Sequence, residues 1–205
     1  MSAEQIAQWD ARYSAQAYVF GVEPNAFLAR QAHRLRPGWT ALAVADGEGR
    51  NGVFLAGQGL DVLSMDASKA AQAKAAWLAE ERGVRLRFEL ADLERWPWPE
   101  AAFDVVVAIF IQFAGPALRT AVFDGMKRAL KPGGLLLLEG YRPEQIAYGT
   151  GGPPIPENLY TEELLRAAFA DMEILELSAY DAEISEGAGH AGMSALIDLV
   201  ARKPG

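Results

Sequence analysis

There is no cysteine in the 205 residues, which excludes a disulfide framework, a thiolate nucleophile and any cysteine metal site. Histidine is almost as scarce. His33 and His190 stand far apart and their spacing gives no zinc motif, so no metal is expected. No apolar run approaches the ~20 residues that cross a bilayer, and the first ten residues are polar, without the pattern of a secretory signal. Long blocks of one charge, internal repeats and low-complexity linkers are missing too. The charge that is present leans acidic, with a formal net charge of −8 and a pI near 4.9. That balance speaks against nucleic acid or an anionic membrane as partner. A soluble, cytoplasmic protein is expected, of a length that suits one α/β domain with a substantial core.

What is there centres on residues 41–66. Ala41-Leu42-Ala43-Val44-Ala45 is a short apolar run of the kind buried on both faces of a parallel sheet. The polar turn Asp46-Gly47-Glu48-Gly49-Arg50-Asn51-Gly52 breaks it. Val53 to Ala56 follows on a helical pattern, Gly57-Gln58-Gly59 stops the helix, and Leu60 to Met65 reads as a second strand closing on Asp66. Gly47 and Gly49 let the chain turn sharply and admit a ligand where a Cβ would collide. An acid at the tip of the second strand can accept two ribose hydroxyl hydrogens. Gly47 and Asp66 are 19 residues apart, close to the ~20 of a nucleoside-binding βαβ unit.

The turn lacks the full G-x-G-x-x-G that seats a pyrophosphate on a helix N-terminus. Its acids, Asp46 and Glu48, would repel a diphosphate and suit a cation such as an ammonium. A ligand with a ribose at one end and an ammonium at the other is S-adenosylmethionine. On these residues the chain resembles the class I S-adenosylmethionine-dependent methyltransferases, in particular the small bacterial tellurite-resistance TehB-like and thiopurine-methyltransferase-like enzymes. Leu130-Lys131-Pro132-Gly133-Gly134 and the apolar strand after it match the family's L-K-P-G-G turn independently. The N-terminal line Trp9-Asp10-Ala11-Arg12-Tyr13, followed by Tyr18-Val19-Phe20-Gly21-Val22-Glu23-Pro24-Asn25, is similar to the family's cap over cofactor and substrate.

The resemblance implies an α/β three-layer sandwich around a seven-stranded, mostly parallel Rossmann-like sheet of order 3-2-1-4-5-7-6, with strand 7 antiparallel and a helical N-terminal cap. One domain over 1–205 is expected: cap 1–38, cofactor core 39–140, substrate-side loop 141–160, and closing helix and hairpin 161–205. The implied cofactor contacts are Trp9, Arg12, Tyr13, Asp46, Gly47, Glu48, Gly49, Arg50, Asn51, Asp66, Ala67, Ser68, Ala91, Asp92, Leu93 and Phe110. Asp92 would meet the adenine amino group, with Ala91 and Leu93 flanking the ring. Phe20, Gln112, Phe113 and Gln145 would line the substrate pocket. Tyr141, Tyr148 and His190 are the candidates for a catalytic role, beside the plain readings of a loop anchor or an exposed histidine. The family's usual acid, two residues before the first glycine, falls on Ala45, so Asp46, Glu48 or both would take over the methionyl ammonium.

The expected activity is in-line methyl transfer from S-adenosylmethionine to a small-molecule nucleophile, leaving S-adenosylhomocysteine. Thiols, selenols, metalloid oxyanions, amines and hydroxyls stay open as acceptors. No N-P-P-Y or D-P-P-Y occurs, which removes a nucleobase substrate. The alternatives are a non-catalytic S-adenosylmethionine-binding regulator and an NAD-dependent oxidoreductase; the latter leaves L-K-P-G-G unexplained. A monomer or homodimer is expected. Smaller expectations are that Pro24 opens a helix, that Trp77 and Leu78 anchor an alanine-rich helix on the sheet, that residues 84–90 form a third strand, and that Trp96-Pro97-Trp98-Pro99 is a rim loop.

Overall fold

The computed structural model describes residues 2–205. Two compact units share the chain, one running up to Pro97 with Glu186–Gly189 added, the other made of Trp98–Ser185 and His190–Gly205. In the first unit, strands β1 (Thr40–Val44), β2 (Asp61–Asp66) and β3 (Arg87–Leu90) are parallel, with Val44 opposite Met65 and Asp66 opposite Leu90. Four successive residues of β1 are buried. This is the signature of a strand covered on both faces, and it explains the unbroken apolar run.

Helix α1 (Ala3–Tyr13) starts in a capping box, Ser2 with Gln5. Helix α2 (Ala26–Arg30) does not begin at Pro24. Asn25 is its N-cap, with the side-chain oxygen accepting from the Leu28 amide at 3.0 Å. A side-chain acceptor satisfies an orphan N–H that proline at the first helical position only tolerates. After the glycine turn comes α3 (Arg50–Gly57), and after Asp66 comes α4 (Lys69–Glu81), capped by Ser68. Ala71, Ala75, Leu78 and Ala79 form the buried stripe of α4, so Leu78 is the expected anchor. Trp77 is not, because it falls off that stripe and is 65% exposed. The third strand is shorter than expected. Val84 and Leu86 pack against Val53, Leu78 and Ala79 instead of extending the ladder.

The second unit holds β4 (Phe103–Ile109), α5 (Pro116–Ala129), β5 (Leu130–Tyr141), α6 (Gln145–Tyr148), α7 (Glu162–Ala168), β6 (Glu173–Ser185) and β7 (Ala191–Arg202). Strand β5 runs parallel to β4, and β7 runs antiparallel to both β5 and β6. The pairing of β4 with β5 jumps from Phe103–Leu130 to Val105–Leu135, so residues 131–134 bulge out as the L-K-P-G-G turn, with Gly133 at φ 78°. Trp98 packs under α5, where a Cβ on Gly125 would collide with its indole, so only part of the tryptophan–proline loop is rim. Across the chain the strand order is β3-β2-β1-β4-β5-β7-β6, the order expected from the resemblance. Among the described residues no helix is long and apolar enough to cross a membrane.

Candidate cofactor and acceptor residues

The glycine turn is left-handed at alternate residues. Ala45, Gly47 and Gly49 all have positive φ, at 48°, 58° and 88°. The left-handed positions alternate, and the first of them is occupied by alanine. Gly49 also has a packing reason, since a Cβ there would run into Ala75 of α4.

With this alternation Asp46 and Glu48 find partners inside the unit. Asp46 accepts from the Gly52 amide at 3.1 Å and from Ser64 Oγ at 2.6 Å. Burial pushes its carboxyl up to about 7 despite these bonds. Glu48 places Oε1 2.7 Å from Lys74 Nζ, and Oε2 accepts from the Val19 amide at 2.8 Å and the Phe20 amide at 3.3 Å. Lys74 also donates to the Ala17 carbonyl at 2.7 Å. Glu48 therefore fastens residues 17–20 to the turn.

Asp66 sits at the tip of β2 with one backbone donor on each oxygen, Gly47 N at 2.9 Å and Ser68 N at 2.8 Å. Burial raises its pKa from the ordinary value, against the pull of the Ser68, Gly47 and Ala67 N–H groups. Each carboxylate oxygen can accept more than one hydrogen bond, so capacity remains for the two hydroxyls of a ribose. The nucleoside end of the expected cofactor fits this arrangement.

Further contacts organise the surroundings. Asp10 of α1 accepts from Ser68 Oγ at 2.6 Å and from the Ala70 amide at 2.9 Å, which holds its carboxyl below the usual range. Tyr13 is buried over the turn, and a Cβ on Gly47 would stand 3.0 Å from its hydroxyl. Burial and the charges of Asp66, Glu48 and Asp46 raise the pKa of that phenol. Trp9 stacks on Tyr13 at 5.6 Å, and the Arg12 guanidinium lies 5.1 Å from the Trp9 ring and 5.0 Å from the Phe20 ring. Glu186 takes Arg50 Nη2 at 2.7 Å and the Ala26 amide at 2.9 Å, and Asn51 Oδ1 accepts from the Asn25 amide at 3.0 Å. Arg50 Nη1 is buried without a hydrogen-bond partner. After β3 the Ala91 amide donates to the Asp66 carbonyl at 2.9 Å, Asp92 accepts from the Glu94 amide at 3.1 Å, and Leu93 is buried.

In the second unit the residue after β4, Phe110, has φ 55°, an uncommon conformation for a bulky side chain. Its ring stacks on Tyr141 at 4.6 Å, and His190 meets Phe110 edge-on at 4.3 Å. His190 is thus buried, not an exposed loop histidine. Gln112 is buried beside the Tyr141 backbone. It brackets the Tyr141 backbone, donating to the carbonyl at 2.7 Å and accepting from the amide at 2.7 Å. Gln145 likewise accepts from the Ala195 amide at 2.8 Å and donates to Thr150 Oγ1 at 2.9 Å, pinning the loop to β7. Tyr148 is exposed and donates to Asp181 Oδ2 at 3.0 Å, and Phe113 is half-buried. The sequence reading missed one group. Glu139 and Asp198 face each other across β5 and β7, both buried, with Tyr180 Oη 3.3 Å from a carboxylate oxygen of each. The available signals were an acid closing Leu135-Leu136-Leu137-Leu138 and a lone aspartate inside Ala195-Leu196-Ile197-Asp198-Leu199-Val200. Among the described residues no group of three or more histidine, aspartate or glutamate side chains could hold a metal.

Residues 41–134 match the family pattern described as a methyltransferase domain. A demethylmenaquinone methyltransferase from Beutenbergia cavernae is 34% identical over 50% of this chain and 41% of its own length. The chain spans about two fifths of the length of the curated relatives it matches. TehB from Haemophilus influenzae superposes with a TM-score of 0.71 at 20% identity, over 95% of this chain and 65% of that one. The N-methyltransferase NodS from Bradyrhizobium japonicum, solved with S-adenosyl-L-homocysteine, gives 0.74 at 16% identity, over 98% and 99%. With the turn at 45–49, the acid at 66, the L-K-P-G-G bulge and this strand order, the chain has the fold of the S-adenosylmethionine-dependent methyltransferases, and its residues 41–134 are similar to a methyltransferase domain.

Proposed function

We propose that the protein transfers a methyl group from S-adenosylmethionine to a small-molecule nucleophile. The observation that carries the reading is Asp66, a carboxylate at a strand tip with a backbone N–H on each oxygen and lone pairs left to accept from two hydroxyls. In this reading Asp66 orients the ribose, Ala91, Asp92 and Leu93 border the adenine, and Trp9, Tyr13 and Phe20 exclude water from above. Asp46 and Glu48 already accept hydrogen bonds inside the unit, and main-chain carbonyls of the turn offer the methionyl ammonium further acceptors beside them. The cofactor, when bound, supplies an activated methyl on a sulfonium. The protein's share is then placement and desolvation, with no covalent intermediate.

Calorimetric titration with S-adenosylhomocysteine, run beside NAD, tests the cofactor. Micromolar binding of the first and none of the second is the expected result; the reverse would remove the proposal. Transfer of labelled methyl to any acceptor then separates an enzyme from a protein that only binds the cofactor.

A further inference from the structure

We propose that strand β6 is an interaction surface, whose outer edge from Leu177 to Glu183 pairs antiparallel with the same edge of a second copy of this chain. The surface lies wholly within the second unit and takes no part in the methyl-transfer reading.

The open edge is the first observation. Strand β6 ends the sheet, with β7 as its one neighbour. The main-chain groups of Ala195 point away from β6. Its amide donates to Gln145 Oε1 at 2.8 Å and its carbonyl accepts from the Arg142 amide at 2.8 Å. Asp181 stands opposite Ala195, so its own amide and carbonyl face outward, because these groups alternate between the two sides of an antiparallel strand. Leu177, Ala179 and Glu183 share that side by the same alternation, while Ser178, Tyr180 and Ala182 turn theirs to β7. Among the described residues no hydrogen bond reaches the outward main-chain groups.

The second observation is what this edge lacks. Edge strands are commonly blunted by lysine, proline, bulges or a covering segment. Residues 173–185 contain no lysine, arginine or proline. The register shift falls between Ile174 and Glu176, and pairing with β7 is regular from there to Ser185. Ala179, Asp181 and Glu183 are exposed, so no segment covers them. Arg142 and Tyr148 draw the Asp181 carboxylate back across β7, away from the edge. A long, regular, uncovered edge is a template for another strand.

The third observation selects the occupant. With Tyr180 facing its own counterpart, Ala179 stands opposite Asp181, Leu177 opposite Glu183 and Glu176 opposite Ile184, read from either chain. Every outward group from Leu177 to Glu183 then meets a mate, and no acid opposes an acid. Moving the axis to Asp181 or Ala182 would set Asp181 against Asp181 or Glu183, and like charges directly opposite are destabilising. The charge pattern of β6 is thus self-complementary about Tyr180, as a two-fold interface requires. The pairing also extends the face on which half-buried Tyr180, Ala182 and Ile184 pack against Tyr141, Leu159 and Leu196. One strand pair is smaller than a standard interface, so the dimer is expected to dissociate on dilution.

Sedimentation equilibrium of the full chain should show a monomer in exchange with a dimer. Ala179→Pro removes one outward amide, and an edge strand tolerates proline where the lost N–H faces solvent. The variant should therefore keep the wild-type urea midpoint and lose the dimer. Hydrogen exchange of the wild type reads the same edge without a substitution, and decides alone if the variant fails to fold. Exchange at the Leu177, Ala179, Asp181 and Glu183 amides should slow as protein concentration rises. The Ser178 and Tyr180 amides, already bonded to β7, should not respond. A wild type that is monomeric at every soluble concentration, a dimer that survives in Ala179→Pro, or exchange at the outward amides that ignores concentration would each overturn the inference.

Discussion

Glu48 Oε1 and Lys74 Nζ lie 2.7 Å apart with both side chains buried, and through them the glycine turn holds the chain that precedes it. The second glutamate oxygen takes the Val19 and Phe20 amides and the ammonium takes the Ala17 carbonyl. Removing one partner strands the other charge in the interior, at about 3–5 kcal/mol. Lys74→Met should therefore lower stability by roughly that amount in urea unfolding. It should also speed hydrogen exchange at the Val19 and Phe20 amides ahead of those in β1. Unchanged exchange at those two amides would mean that the pair is not what fastens them.

Asp66→Asn keeps the shape of the strand tip and replaces one acceptor by an NH2 group. That group faces either the Gly47 or the Ser68 amide, donor against donor. Hydrogen bonds to charged groups are worth about 1.5–3 kcal/mol, so S-adenosylhomocysteine affinity should fall about ten- to a hundredfold. Calorimetry with the variant checks this, and a loss under threefold would take Asp66 out of the cofactor site.

Much of this arrangement is legible in the sequence because it is local. The strand, turn, helix, strand and acid of residues 41–66 follow one another along the chain, and the L-K-P-G-G bulge is written in five adjacent residues. The last two strands were equally plain as long alternating or apolar runs. Side-chain commitments that join distant segments were not. Glu48 reads as a ligand for a cation, and nothing near it in the sequence shows that Val19, Phe20 and Lys74 reach it from either side. Gln112 reads as a pocket wall, and nothing in the sequence shows that Tyr141, 29 residues on, takes both ends of its amide. Tyr180 meets Glu139 across 41 residues and Asp198 across 18, and nothing near any of them announces the meeting. Ala45 shows a different limit. Its register was placed by the visible glycines, whereas the backbone assigns the first left-handed position to the alanine before them.

The raised carboxyl of Asp46 gives a pH dependence with a definite sign. Its ordinary value is 3.8 and the folded protein holds it at about 7, so the folded state binds this proton more tightly than the unfolded chain. The resulting stabilisation is complete below about 3.8, is lost as pH rises through about 7, and is absent above it. The ceiling is about 4 kcal/mol. Asp46→Asn preserves an acceptor for the Gly52 amide and a donor for Ser64 Oγ without titrating. Relative to wild type it should gain stability steadily from about pH 4 to pH 8 in urea unfolding. A constant difference would show that Asp46 is ionised throughout.

Ala45 offers the cleanest test of the turn, because its backbone and its residue type disagree. An L-residue in the left-handed region costs about 1–2 kcal/mol, and glycine removes that cost while giving the unfolded chain about 0.4–1 kcal/mol of extra freedom. Ala45→Gly should then leave stability unchanged or raise it by up to about 1 kcal/mol. The same substitution two residues earlier has no strain to relieve. Ala43 lies in β1, buried and extended, and Ala43→Gly should cost about 1 kcal/mol through lost packing and added chain entropy. The opposite signs are the prediction, and paired urea unfolding of the two variants reads them directly. If both lose stability alike, the positive φ of Ala45 is not strained in the folded protein. The first left-handed position of the turn would then carry no preference for glycine.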